Sequence, residues 1–187
     1  MLDVRDATAD RWDDVSTVMG TRGDPARCWC QYFHLRGKAW QQATTESNRS
    51  ALAAQLDDSV PPGVVAYADG VPVGWCAVAP RSSYARLAYS DVATAVSDEH
   101  GLWAVTCFVV RVGHRRQGVS RALLSGAVDL ARQHGARLIE AYPVDVGVKK
   151  ASSAELYHGA LSLFLGAGFA EVARPLSHRA LVRLEVW

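Results

Sequence analysis

Val110-Arg-Val-Gly-His-Arg-Arg-Gln-Gly-Val-Ser-Arg-Ala-Leu-Leu124 joins the end of one apolar run to the start of an amphipathic one. Upstream, Leu102 to Val110 is almost continuously apolar, as expected of a central strand covered on both faces. Downstream, Val119, Leu123, Ala127, Leu130 and Ala131 recur at helical spacing, with Arg121, Ser125, Asp129 and Arg132 opposite them. His134-Gly135 stops that helix with a residue that tolerates a left-handed backbone. A strand, a short loop of Arg, Gly and Gln, and an immediate helix aim unpaired N–H groups and the positive end of a helix dipole at one point. Such a point favours a phosphate or pyrophosphate. The alternative for the same residues is a solvated basic turn, with Gly118 a simple helix-start glycine.

Two familiar phosphate loops do not fit. A P-loop needs Lys-Ser/Thr after its second glycine, and no Lys follows Gly118. A dinucleotide turn needs Gly-x-Gly-x-x-Gly, which Gly113 and Gly118 alone do not supply. Further out, Val64–Tyr67 and Val73–Ala79 flank Asp69-Gly70, a hairpin signal. Leu2 to Arg5 predicts a strand, and Thr8 caps a helix carrying Trp12, Val15, Val18 and Met19. The stretch from Thr21 to Ala43 is irregular and aromatic, and a helix is expected over Glu46 to Leu56, ahead of Pro61-Pro62-Gly63. Arg137 to Tyr142 predicts a strand ended by Pro143, and Leu156, Ala160, Leu163 and Phe164 mark one more helix. Ala180, Val182, Leu184 and Val186 alternate with polar residues in a half-buried strand. This order predicts an α/β fold: a single domain over residues 1–187, with a mixed central sheet flanked by helices on both faces.

The 187 residues are 49% hydrophobic and 21% charged with a net charge of +1, the profile of an ordinary globular chain. A near-neutral balance gives no footprint for nucleic acid. No apolar run approaches the ~20 residues that span a bilayer, so no membrane partner is expected. Met1-Leu-Asp-Val-Arg-Asp lacks the basic-then-apolar order of a signal peptide, which makes the cytoplasm the expected compartment. Cys28, Cys30, Cys76 and Cys107 are too scattered for a disulfide framework. Cys28, Cys30 and His34 lack the paired spacing and fourth ligand of a zinc site, so no metal is expected.

The central stretch resembles the acyl-CoA-binding motif of the GNAT (GCN5-related) N-acetyltransferases, which reads Arg/Gln-x-x-Gly-x-Gly/Ala. Here that is Arg115-Arg116-Gln117-Gly118-Val119-Ser120, with Ser120 where a second Gly or Ala is usual. The opening Val4-Arg5-x-Ala7-Thr8, the Asp69-Gly70 hairpin and the ending Phe164-x-x-x-Gly168-Phe169 are also placed as in that family, so the resemblance spans nearly the whole chain. It implies a GNAT-like fold with acetyl-CoA as co-substrate. The pyrophosphate is expected on the N–H groups of Arg115, Arg116, Gln117, Gly118, Val119 and Ser120. The pantetheine is expected along Phe108, Val109, Val110 and Val112.

The resemblance also carries a departure. The family's usual general acid, a Tyr four residues before the Gly-Phe pair, is here Phe164, which has no proton to give. Tyr142 and Tyr157 are the substitutes on offer, and Glu140, the one carboxylate of its strand, is the candidate base. The bland alternative for all three is packing or a solvent-facing position. In the family a backbone N–H at a bulge in the central strand polarises the thioester carbonyl; Val109, Val110 or a neighbour is expected to supply it. On the acceptor side, Trp29, Tyr32 and Phe33 fall at i, i+3 and i+4, so one helical turn would bring them onto one face as an aromatic wall, and Cys30 of the same segment is a further candidate for the acceptor pocket. Core packing is the competing account of this segment. The expected activity is acetyl transfer from acetyl-CoA to a small-molecule amine by direct attack in a ternary complex, in a monomer or a homodimer. Its rivals are a non-catalytic acyl-CoA-binding regulatory module and an acetyltransferase of protein or peptide amines.

Overall fold

The computed structural model describes residues 1–93, 100–152 and 155–186. Its strands are β1 (Leu2–Asp6), β2 (Gly63–Ala68), β3 (Val71–Pro80), β4 (Leu102–Val110), β5 (Leu138–Ala141), β6 (Ala170–Leu176) and β7 (Arg179–Glu185). They form one mixed sheet in the order β1-β2-β3-β4-β5-β7-β6. Pairing is antiparallel throughout except between β4 and β5, which run parallel. The helices are α1 (Trp12–Met19), α2 (Gly23–Cys28), α3 (Gly37–Gln42), α4 (Thr45–Gln55), α5 (Val119–Gln133) and α6 (Leu161–Leu165).

Strand periodicity decides the layers. Val64, Ala66, Cys76, Val78 and Val105 face one side of the sheet and pack with Leu123, Ala127 and Leu130 of α5. Their neighbours Val65, Tyr67, Trp75 and Ala77 face the other side and meet Val15 and Met19 of α1 and Leu52 of α4. Helices therefore cover both faces, as the pattern predicts. The boundaries of β4 match the apolar run residue for residue.

Four local features differ from expectation. α4 starts one residue earlier than predicted, because Thr44 and Ser47 cap it reciprocally: Ser47 N–H donates to Thr44 Oγ1 at 3.1 Å and Thr44 N–H to Ser47 Oγ at 2.8 Å. The stretch expected to be irregular contains α2 and α3, each only six residues long. The single helix expected through Leu156 and Phe164 is a 3₁₀ turn, Glu155–His158, followed by α6. β6 is an additional edge strand, mostly exposed, without an apolar alternation to announce it.

Candidate active site

The site is built where β4 and β5 part. Their ladder runs from Leu102↔Leu138 to Val105↔Ala141 and ends there. On β5 the chain continues into Tyr142-Pro143, and a proline has no N–H to extend a ladder. On β4 the register with β3 jumps from Val78↔Val105 to Ala77↔Cys107, leaving Thr106 as the extra residue of a bulge. The bulge thus lies three residues before Val109, while Val109 and Val110, the positions named for it, pair regularly with Trp75 and Gly74. The turn Glu155–His158 closes the resulting wedge. Val144, beyond Pro143, bridges Ala160 and accepts from Leu161 N–H at 2.9 Å.

A cavity of about 810 Å³ opens from this wedge. Cys107, Phe108, Val109 and Val110 form its β4 wall, with Arg115 and Ser120 at the loop end. The opposite wall comes from Cys28, Cys30, Tyr32, Phe33, Trp40 and Tyr157. Asp24 is the one carboxylate among the described lining residues. The aromatic wall is held from behind. Arg86 lies over the Tyr32 ring at 3.9 Å and donates to the carbonyls of Tyr32 at 2.6 Å and Leu35 at 3.1 Å. Tyr32 meets Trp40 edge-on, with ring centroids 5.2 Å apart.

The loop reaches α5 through two left-handed residues, Arg116 (φ 60°) and Gly118 (φ 82°). Gln117 Nε2 donates to the Gly113 carbonyl at 3.1 Å and Arg115 Nε to the Val110 carbonyl at 3.2 Å, so the loop folds back on the strand end. The first-turn N–H groups of a helix have no partner within it. Here they belong to Val119 and its successors, at the start of a 15-residue helix with no acid in its first turn. Of the ten residues expected on the cofactor side, Phe108, Val109, Val110, Arg115 and Ser120 line the cavity. Val112, Arg116, Gln117, Gly118 and Val119 belong to the adjoining loop and helix start but not to its wall.

Three expectations about side chains need correction. Trp29 does not join Tyr32 and Phe33 on one face, because α2 ends at Cys28 and both Trp29 (φ 46°) and Cys30 (φ 54°) are left-handed. That turn swings Trp29 into the core, where it stacks on Trp12 at 5.6 Å and is 5% exposed. Cys30, Tyr32 and Phe33 do line the cavity. Glu140 is fully buried and belongs to an ion cluster, with Arg81 Nε at 2.7 Å and Arg183 Nη2 at 3.2 Å. Tyr142 donates its hydroxyl to Glu140, and neither residue lines the cavity. Of the three catalytic candidates only Tyr157 lines it. Burial pushes Tyr157 up to about 12, so its hydroxyl keeps its proton across the neutral range.

Cys28 and Cys30 are held as protonated thiols. A hydrogen bond with Cys107 and burial push Cys30 up, and its sulfur also accepts from Trp75 Nε1 at 3.0 Å. Burial pushes Cys28 up to about 11. Sequence reasoning missed Trp40 and Cys107 on the cavity wall, and His158 behind it. Trp40 sits in a six-residue helix with no amphipathic signal, and Cys107 reads as one more apolar residue of β4.

The fold is shared with solved acetyltransferases. A GCN5-related N-acetyltransferase from Kribbella flavida superposes with a TM-score of 0.54 at 19% identity, covering 99% of this chain and 98% of that one. yncA of Salmonella typhimurium, whose structure contains its cofactor acetyl-CoA, gives a TM-score of 0.57 at 14% identity, covering 98% and 93%. The paia N-acetyltransferase of Thermoplasma acidophilum, in complex with coenzyme A, gives 0.53 at 9% identity, covering 100% and 99%. No curated protein matches the sequence. The family model of the acetyltransferase (GNAT) family matches residues 28–160, well over half of the chain, and the protein belongs to that family.

Proposed function

We propose that this acetyltransferase moves the acetyl group of acetyl-CoA to the amine of a small molecule with a flat, apolar body. The observation that carries this is the single cavity joining the β4 edge to the aromatic wall of Tyr32, Phe33, Trp40 and Tyr157. Its volume, about 810 Å³, falls in the range that encloses small ligands. The structures of yncA and the paia enzyme, which contain acetyl-CoA and coenzyme A, support the choice of co-substrate.

The residues present fit that co-substrate. The α5 N-terminus offers unpaired N–H groups without a competing acid, and a Cβ on Gly118 would meet only Leu2 Cδ1, at 3.9 Å, so the loop surface there is open. Arg115, Arg116, Gln117, Gly118, Val119 and Ser120 would hold the pyrophosphate, with Phe108, Val109, Val110 and Val112 along the pantetheine. Bound acetyl-CoA supplies an acetyl group activated as a thioester. The backbone at the Thr106 bulge is the proposed source of the N–H that polarises the carbonyl. Tyr157, protonated at neutral pH and on the cavity wall, is the proposed proton donor to the departing sulfur. Glu140 and Tyr142 have no part in the proposed chemistry.

The test is CoA release with a panel of aryl and aralkyl amines, aliphatic polyamines and amine-terminated peptides. Aromatic amines are expected to turn over best. Preference for peptides would replace this proposal with a protein-modifying enzyme, and tight acetyl-CoA binding with no turnover of any acceptor would favour the regulatory module. In the productive case Tyr157→Phe is expected to lose roughly 10²–10⁴-fold in kcat.

A further inference from the structure

The cavity wall facing β4 carries a polar corner where α2 and α4 contribute Asp24, Arg27 and Asn48 to the lining. Asp24 and Arg27 stand three residues apart on α2, a spacing that puts Cβ atoms about 5–6 Å from each other on one side of a helix. The ordinary use of that spacing is an ion pair. Asp129 with Arg132 and Glu171 with Arg174 form one in this same chain. Asp24 and Arg27 do not: both are exposed, and neither pairs with the other or with any other described residue.

The corner is nevertheless held firmly from behind. Asn48 is 4% exposed, and its Nδ2 donates to the Arg27 carbonyl at 3.0 Å, fixing the backbone from which the guanidinium projects. That bond also settles which end of the amide is which, and it leaves Oδ1 buried without a partner. A buried acceptor left unpaired costs free energy that packing does not return. Arg115, the other cation of the lining, folds onto the Val110 carbonyl at the loop end and is assigned to the pyrophosphate in the proposed function. The acceptor end therefore keeps one positive and one negative side chain, side by side.

Their signs select the ligand. A plain ammonium is drawn to Asp24 and repelled by Arg27, a plain carboxylate the reverse, and at this spacing the two effects largely cancel. A molecule carrying both groups gains from both residues, and the guanidinium fork matches a carboxylate bidentately. We propose that the acceptor is an aromatic amine that also bears a carboxylate: Arg27 takes the carboxylate, Asp24 the incoming ammonium, and the flat body lies against Tyr32 and Trp40. The inference rests on the acetyl-transfer reading above and narrows its acceptor. Arg27 and Asp24 are specificity-determining residues in it.

The experiment uses matched pairs that differ only in the carboxylate, tryptophan with tryptamine and phenylalanine with phenethylamine. CoA release gives kcat/KM for each, and calorimetry of the same four compounds on the CoA-bound protein reads binding without turnover. The wild type is expected to favour the carboxylated member of each pair about tenfold or more, through KM and not kcat. Arg27→Gln should bring that ratio to within about twofold of one, and Arg27→Lys, which keeps the charge but loses the fork, to an intermediate value. Asp24→Asn should raise KM for both members of each pair. A wild type that treats the members alike, favours the decarboxylated one or binds none of the four would overturn the proposal, as would an Arg27→Gln protein that weakens both members equally. If no amine turns over while the calorimetric preference and its loss in Arg27→Gln are both seen, the acetyl-transfer reading fails and the recognition of a carboxylated amine stands.

Discussion

Replacing Glu140 separates a structural carboxylate from a catalytic one. The group is fully buried, Arg81 beside it is 4% exposed, and the Tyr142 hydroxyl donates to it. Glu140→Ala leaves the Arg81 guanidinium buried without its counter-charge, a change that costs about 3–5 kcal/mol, and it strands the Tyr142 hydroxyl as well. Arg183 is 21% exposed and can turn to water, so its share of the loss is small. For a chain of this length each kcal/mol moves the melting temperature by roughly 2–4 °C, which places the expected drop at about 6–20 °C. Glu140→Gln keeps the shape and one acceptor oxygen, and is expected to fall by less. The double variant Arg81→Leu/Glu140→Leu removes both charges together and should melt above the single Glu140→Ala protein. The assay is a thermal melt by circular dichroism beside kcat measured well below the lowest melting point. An unshifted melt with a hundredfold loss of kcat in Glu140→Gln would refute the structural assignment and make Glu140 a base.

Gly118→Val places a β-branched side chain at φ 82° and is expected to cost about 1–2 kcal/mol of stability while abolishing measurable CoA binding; a folded variant with unchanged affinity would remove the loop from the site. Trp29→Ala, now a core truncation, should cost about 3–5 kcal/mol in urea melts and leave acceptor KM unchanged, whereas Trp40→Ala should raise acceptor KM and leave the melt nearly unchanged. For pH, burial holds both His34 and His158 below the ordinary imidazole range, so below about pH 6.5 the unfolded chain binds more protons than the folded one. Stability should therefore fall as the pH drops from about 6.5, by up to about 1.4 kcal/mol per unit for each histidine, and His158→Gln should flatten that slope; equal urea midpoints at pH 7.5 and 5.5 would contradict this.

The parts of the molecule that could be read from sequence are those in which one local rule acts alone. β4 is covered on both faces, so its apolar run marks both of its ends. α5 carries a full amphipathic stripe, and the hairpin turns at Asp69-Gly70, where both residues adopt positive φ. What could not be read depends on partners distant in the chain. Trp29 and Cys30 adopt left-handed backbone without a glycine to signal it, in a turn set by packing on Trp12 and Trp75. β6 is mostly exposed at the sheet edge beside β7 and has no apolar alternation, so its strand character comes from the ladder and not from its own pattern.

Glu140 shows how burial can imitate function in a sequence. A lone carboxylate in an apolar strand suggests chemistry until its cations are located, and these come from β7 and from the turn after β3. Three residues later in the chain, Pro143 ends the same ladder, and the wedge beyond it admits the Glu155–His158 turn. That turn also accounts for the departure at Phe164. The Phe164 ring is fully buried, edge-on to Phe108 at 6.0 Å and to Phe169 at 5.2 Å, so a hydroxyl there would meet aromatic carbon. Tyr157, on the turn that fills the wedge, has its ring on the cavity wall and packed on the ring of His158, 3.9 Å away between centroids. In the proposed reaction the proton donor thus sits on the turn that closes the wedge, and a change in the seating of that turn would alter proton delivery.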